Sequence, residues 1–166
     1  MLIARKMQEL NFSALMGVYI EGNTESGQEL YPDRSPFEQL RLAEEDFYRY
    51  LTEDFFRQKD ALYFVLTEGN IYVSALRVEP YQDGLLLQAL ETCPDMRRRG
   101  YAKRLMTDAI QYLKNNGYKK VYSHVSASNQ PSLKTHYGCG FKKKSDHAVY
   151  LDGTVSANAF TLWVEL

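Results

Sequence analysis

The chain holds 166 residues and 19.2 kDa, the size of one domain with a core of its own. With 45% hydrophobic and 25% charged residues it is not a disordered chain, and a net charge of -1 argues against a uniformly basic nucleic-acid binder. That near-neutral total hides a split: residues 1–96 carry 17 acids and 8 bases (net -9), while residues 97–166 carry 4 acids and 12 bases (net +8), so the second half is expected to meet an anionic partner.

Met1 to Met7 is short and apolar, a predicted first strand. From Asn11 to about Ile20, Phe12, Leu15, Met16 and Tyr19 recur at helical spacing. Gly22 to Gly27 and Tyr31-Pro32-Asp33 then read as a long polar connection of the kind that lines binding sites, with Tyr31 facing a substrate. Ser35-Pro36 is an N-cap and first helical residue, opening a helix to about Arg57. Ala61 to Thr67 and Asn70 to Glu79 form a hairpin across Glu68-Gly69-Asn70. Asp83-Gly84 turns the chain into a strand from Leu85 to Thr92, which Pro94 ends. Ala102, Leu105, Met106, Ala109, Ile110 and Leu113 then form one apolar stripe on a helix that Gly117 stops. Lys119 to Ser126 is the next strand, and Pro131 starts a short helix that ends before Gly140. Phe141 to Leu151 and Ala157 to Glu165 are the last two strands, joined through Asp152-Gly153. The order β-α-α-β-β-β-α-β-α-β-β describes one mixed α/β domain over residues 1–166.

Two cysteines, Cys93 and Cys139, make no disulfide framework, and no CxxC or His/Cys cluster suggests a metal. No apolar run approaches the roughly 18 residues of a membrane span, and the first ten residues lack the apolar core of a signal peptide. A cytoplasmic setting without membrane association is expected.

The segment Met96 to Ala102 lies between a strand and a helix. A helix start offers unpaired N–H groups and the positive end of the helix dipole. Gly100 lets a phosphate approach the backbone, and Arg97, Arg98, Arg99, Lys103 and Arg104 place five bases within eight positions. A phosphate-bearing ligand is expected here; a solvated basic turn is the alternative.

Arg97-x-x-Gly100-x-Ala102 resembles the (R/Q)xxGx(G/A) motif of the GNAT N-acetyltransferase superfamily. Asn129 to Phe141 resembles that family's second signature, N-x-x-[AS]-x-x-x-[YH]-x-x-x-G-F. The resemblance spans essentially the whole chain. It implies a mixed central sheet with two splayed parallel strands and about four flanking helices, acetyl-CoA as cofactor, and direct acetyl transfer to an amine on a small molecule or peptide. It implies that the backbone from Arg97 through Arg98, Arg99, Gly100 and Tyr101 to Ala102 holds the pyrophosphate. Leu90 and Thr92 would bond the pantetheine arm and steady an oxyanion. Asn129 would bond the cofactor near its thiol, and His136 occupies the position where the family commonly has a tyrosine acid, with Tyr137 beside it.

Strand alternation sets Tyr122, His124 and Ser126 on one face. His124 is there a candidate base toward an ammonium, with a reference pKa of about 6.5; a packed structural histidine is the alternative. Arg77, Glu79 and Glu91 are candidate substrate contacts, and Glu91 alternatively pairs with Arg77. Rival functions are an acyl-CoA sensor without catalysis, or a nucleic-acid domain using the basic half. A homodimer is compatible with the sequence, which is otherwise silent on assembly.

Overall fold

The predicted periodicities are largely realised in the computed structural model, which describes residues 1–166. The N-terminal half contains β1 (Leu2–Ala4), α1 (Phe12–Val18), α2 (Ile20–Leu30), α3 (Pro36–Glu53), β2 (Leu62–Glu68), β3 (Ile71–Tyr81) and β4 (Gly84–Thr92). The C-terminal half contains α4 (Tyr101–Asn115), β5 (Lys120–Ser126), α5 (Gln130–Gly138), β6 (Lys142–Ser145), β7 (Ala148–Val149), β8 (Val155–Ser156) and β9 (Ala159–Glu165). Seven strands form one mixed sheet in the order β1-β2-β3-β4-β5-β9-β6, and β7 pairs with β8 apart from it.

Each face of the sheet buries a large apolar cluster, and a small third one gathers Tyr81, Leu86 and Tyr122. The α4 stripe (Leu105, Met106, Ala109, Leu113) and Leu133 of α5 cover Phe64, Leu76, Val78 and Leu87. On the opposite face Leu15 and Val18 of α1, Leu51 of α3 and Phe55 cover Tyr63, Val65 and Ala75. This alternation is the period of two that a strand buried on both faces requires.

Two features of β4 shape what lies beyond it. Its pairing with β5 is parallel and short, matching only Leu85 with Val121, Leu86 with Tyr122 and Leu87 with Ser123. Beyond Leu87 the two strands part, leaving a splay between their C-terminal ends. The second feature is a bulge against β3. Ala75 faces Glu91 and Arg77 faces Gln88, so Ala89 and Leu90 together oppose Leu76.

Four expectations need correction. The polar stretch from Gly22 to Gly27 is helix α2, not a connection, so five helices flank the sheet rather than about four. Its glycines mimic turn signals but serve close packing: a Cβ on Gly27 would lie 2.5 Å from the Gln39 carbonyl oxygen of α3. The helix opened by Ser35 ends at Glu53 and is followed by a single 3-10 turn, Phe55–Arg57. Its start is as predicted, with Ser35 Oγ accepting from Glu38 N–H and Glu38 accepting from Ser35 N–H. The strand predicted from Phe141 to Leu151 is broken between Ser145 and Ala148. There Ser145 Oγ accepts from His147 N–H at 3.1 Å and lies 2.8 Å from His147 Nδ1, a local turn that competes with the ladder. Finally, Glu91 does not pair with Arg77: the register from the Asp83-Gly84 turn sets Arg77 opposite Gln88, and Glu91 lies opposite Ala75.

Candidate active site

The splay opens into a cleft of about 1290 Å³. Its floor is the end of β4, with Leu90, Glu91 and Thr92. One wall is basic. Arg97, Arg98 and Gly100 enter from the loop, Lys103 from α4 and Lys134 from α5. The opposite wall is acidic, with Glu21 and Glu25 of α2 beside Glu91. Arg97 bridges the two. Its Nη2 lies 2.5 Å from Glu21 Oε2, and its Nε donates to the Thr92 carbonyl at 3.2 Å.

The basic wall is built for an anion. Arg98 and Gly100 are both left-handed, at φ 61° and 82°. Such residues curl a loop so that successive N–H groups gather on its concave side. Gly100 is also the N-cap of α4, and no side chain caps that helix. Its first N–H groups therefore remain for a ligand. Nothing lies within 4 Å of where a Gly100 Cβ would sit, so the glycine serves the backbone angle rather than a tight space. Asn129 lines the cleft and caps α5, its Oδ1 accepting from Ser132 N–H at 3.1 Å.

The acidic wall shows one strongly perturbed group. Burial raises the Glu91 carboxyl to about 7; Arg97 opposes the rise, while Glu21 and Glu25 add to it. The approach of α2 is close, since a Cβ on Gly22 would lie 2.8 Å from Glu91 Oε1. Glu91 is thus a carboxylate that changes charge near neutral pH beside the bulged strand.

Among the other expected residues, Leu90, Thr92, Arg97, Arg98, Gly100, Tyr101, Ala102 and Asn129 all line the cleft. The remainder lie elsewhere. Arg99 faces back to the Asp95 carbonyl. His136 is 2% exposed and turned toward the core. Its Nδ1 lies 2.8 Å from the Ser132 carbonyl and so carries the proton, which makes Nε2 the acceptor of the Ser123 hydroxyl at 2.9 Å. Burial pushes its pKa down. Tyr137, next along α5, points outward at 46% exposure. The cleft face of α5 is instead formed by Pro131, Ser132, Lys134, Thr135 and Gly138.

His124 follows the last β4–β5 pair, Leu87 with Ser123, and does not line the cleft. Its ring meets Tyr81 and Tyr150 edge-on, its Nε2 is buried without a partner, and burial lowers its pKa. Tyr31 donates its hydroxyl to Asp46 of α3, away from the cleft. Arg77 and Glu79 lie between the sheet and α3. The Arg77 guanidinium sits 4.9 Å from the centroid of the Tyr50 ring. Glu79, 1% exposed, accepts from Gln58 at 2.7 Å, Gln88 at 3.0 Å and Tyr50 at 3.3 Å. Both therefore brace the sheet instead of meeting a ligand. The residues missed from sequence are Glu21, Glu25, Ser132, Lys134 and Thr135. The acidity of residues 21–29 was the one visible signal for the two glutamates, and the α5 residues carried none.

Residues 27–141, more than half of the chain, match the model of the Acetyltransferase (GNAT) family. The chain belongs to the GNAT acetyltransferase family. No curated protein matches the sequence. Solved structures share the fold at low identity. A PaiA N-acetyltransferase from Thermoplasma acidophilum in complex with coenzyme A is 14% identical, with TM-score 0.66 over 99% of this chain and 98% of that one. A spermidine N-acetyltransferase SpeG chimera from Vibrio cholerae and hSSAT is 17% identical, with TM-score 0.58 over 92% and 90%. A GNAT family acetyltransferase from Elizabethkingia anophelis with acetyl-CoA bound is 15% identical, with TM-score 0.55 over 69% and 80%.

This GNAT protein is an acyltransferase, and two of these neighbours hold coenzyme A or acetyl-CoA. The cleft fits coenzyme A on its own terms: an uncapped helix start, a curled loop and four basic side chains face one wall of a cavity of nucleotide-cofactor size. No helix is long and apolar enough to cross a membrane.

Proposed function

We propose that the protein acetylates a cationic amine, with Glu91 as the proton acceptor. The observation that carries this is the two-walled cleft, which sets bases against acids across the β4–β5 splay. The basic wall suits the cofactor phosphates and the acidic wall an ammonium group, so each field selects one substrate.

Acetyl-CoA supplies an acetyl thioester. The loop N–H groups at Arg98 to Ala102 hold the anionic end, and Asn129 with the edge of β4 sets the depth of the chain. Glu21 and Glu25 attract the ammonium, and Glu91 removes its proton, a task suited to a carboxylate held near 7. The free amine then attacks the thioester carbonyl, and the thiolate leaves. A thiol of reference pKa about 8.5 departs without a strong protein acid, which accords with His136 and Tyr137 lying outside the cleft. Most of the acceleration comes from holding the two reactants together.

A thiol-release assay across amines of graded charge tests this. Diamines and polyamines should give the highest kcat/KM, and the preference should weaken with salt. Neutral or anionic acceptors proving best would refute the acidic-wall assignment. Acetyl-CoA binding without thiol release from any amine would favour a sensor. If His124→Ala removes the acidic limb of the pH profile and Glu91→Gln does not, the base is His124.

A further inference from the structure

A buried chain of hydroxyls ends on the bulge of β4, and the cleft chemistry above makes no use of it. Tyr19 is the single residue between α1 and α2 and is 3% exposed. Its hydroxyl donates to the Ala89 carbonyl at 2.7 Å and accepts from the Tyr63 hydroxyl at 2.9 Å. Phe47 of α3 packs edge-on to the Tyr19 ring, with centroids 5.2 Å apart, which blocks the ring from swinging away. Tyr63 in turn is fully buried and lies beside Arg77 in the β2–β3 register.

The atom held by this chain is unusual. Ala89 has φ 49°, in the left-handed region that residues with a Cβ avoid. The sheet does little to hold it there. Ala89 and Leu90 share one opposing residue on β3, and the pairing with β5 has already ended at Leu87. A backbone angle of this kind persists only where its surroundings over-determine it, and it tends to occur at functional sites.

The location explains what the angle does. A trans peptide is planar, so the Leu90 N–H points opposite to the Ala89 carbonyl. The carbonyl faces Tyr19 and the helical layer, and the N–H therefore faces away from that layer. Leu90 itself lines the cleft. We infer that Tyr19 is a positioning residue: its hydroxyl, braced by Tyr63, holds Ala89 left-handed and so aims the Leu90 N–H at the thioester carbonyl oxygen. This rests on the acetyl-transfer function proposed above. A donor fixed before the reaction stabilises developing negative charge without reorganising, which is where such groups act most strongly.

Tyr19→Phe in the full chain, assayed with the best amine, tests the inference. The expected result is a fall of about tenfold in kcat, with the KM for acetyl-CoA changed by less than about twofold. Adding Ala89→Gly to that variant should restore most of the loss, because glycine adopts φ near 50° without a clamp. Tyr63→Phe, which leaves the Tyr19 bond but removes its brace, should fall between wild type and Tyr19→Phe. Unchanged kcat in Tyr19→Phe overturns the inference, as does a loss that Ala89→Gly fails to restore, which marks a packing role. A turnover-free readout separates this from failure of the proposed function. In wild type the Leu90 amide resonance should move on adding acetyl-CoA, and it should move less in Tyr19→Phe. Equal shifts in the two proteins refute the clamp even if no amine is ever acetylated.

Discussion

Glu91→Gln should make the protein more stable and less active at once. In the native state burial lifts the carboxyl from its ordinary 4.5 to about 7. Between those values the folded chain holds a proton that the unfolded chain has lost, so stability falls as pH rises through that window and the full cost is felt above about 7. At about 1.4 kcal/mol per pH unit the undiscounted cost is about 3 kcal/mol. The side chain still reaches an open cleft beside Arg97, and screening by water reduces that to about 1–2 kcal/mol. Glutamine keeps the shape and has no charge to bury. The variant should therefore melt roughly 3–6 °C above wild type at pH 8 and level with it at pH 4.5. Thiol release at pH 7 should meanwhile drop by about a hundredfold, the scale of a lost general base. Thermal melts at three pH values and a pH-rate profile check both halves. A variant that melts below wild type at pH 8 would show that attraction to Arg97 outweighs burial, and unchanged turnover would end the role of Glu91 as base.

Other outcomes follow from the same geometry. Gly100→Val meets no neighbouring atom but cannot adopt φ 82° without strain, so calorimetry should show acetyl-CoA affinity reduced by at least about tenfold with little change in melting temperature; wild-type affinity would remove the loop from the anion site. Gly27→Ala drives a Cβ to 2.5 Å from the Gln39 carbonyl, and denaturant titration should show a loss of about 1–3 kcal/mol as α2 is pushed off α3. His136→Ala strands the Ser123 hydroxyl and should cost about 2–3 kcal/mol in the same titration, with activity following the folded fraction. Because burial holds His136 neutral, its contribution is lost as pH falls through its ordinary 6.5, where the unfolded chain takes up a proton and the native chain does not.

How far the sequence could be read varied with the physics of each segment. The α4 stripe and the Arg97–Ala102 loop were legible because periodicity, glycine and clustered charge are local signals. Helix α2 was not, since its glycines read as turn signals, and the close approaches they permit, Gly27 to α3 and Gly22 to Glu91, exist only in the folded chain. The bulge was equally hidden. Alternation along Leu86, Gln88 and Leu90 assumes one residue per step, and the extra residue at Ala89 resets the faces beyond it. That is why Glu91 ended on the face that α2 covers, in the acidic wall. His136 was misjudged for another reason: helical position alone does not say whether a side chain meets a cleft or a strand, and Ser123 on β5 decided it.

The opposed charges of the two halves of the sequence acquire a location in the fold. The acids that matter are three: Glu21, Glu25 and Glu91. They face Arg97, Arg98, Lys103 and Lys134 across one cavity, so a near-zero net charge coexists with a steep local field. Arg97 belongs to both walls, through its contact with Glu21 and its place in the phosphate loop. Anion binding on the loop would draw Arg97 toward the phosphates and leave Glu21 free to attract a cation. Cofactor binding would then strengthen acceptor binding by the field alone, and the acceptor would in turn tighten the cofactor by the same factor. Calorimetry of a cationic amine with and without coenzyme A should show that gain, Arg97→Met should abolish it, and equal affinities in wild type would mean the Arg97–Glu21 contact carries no coupling.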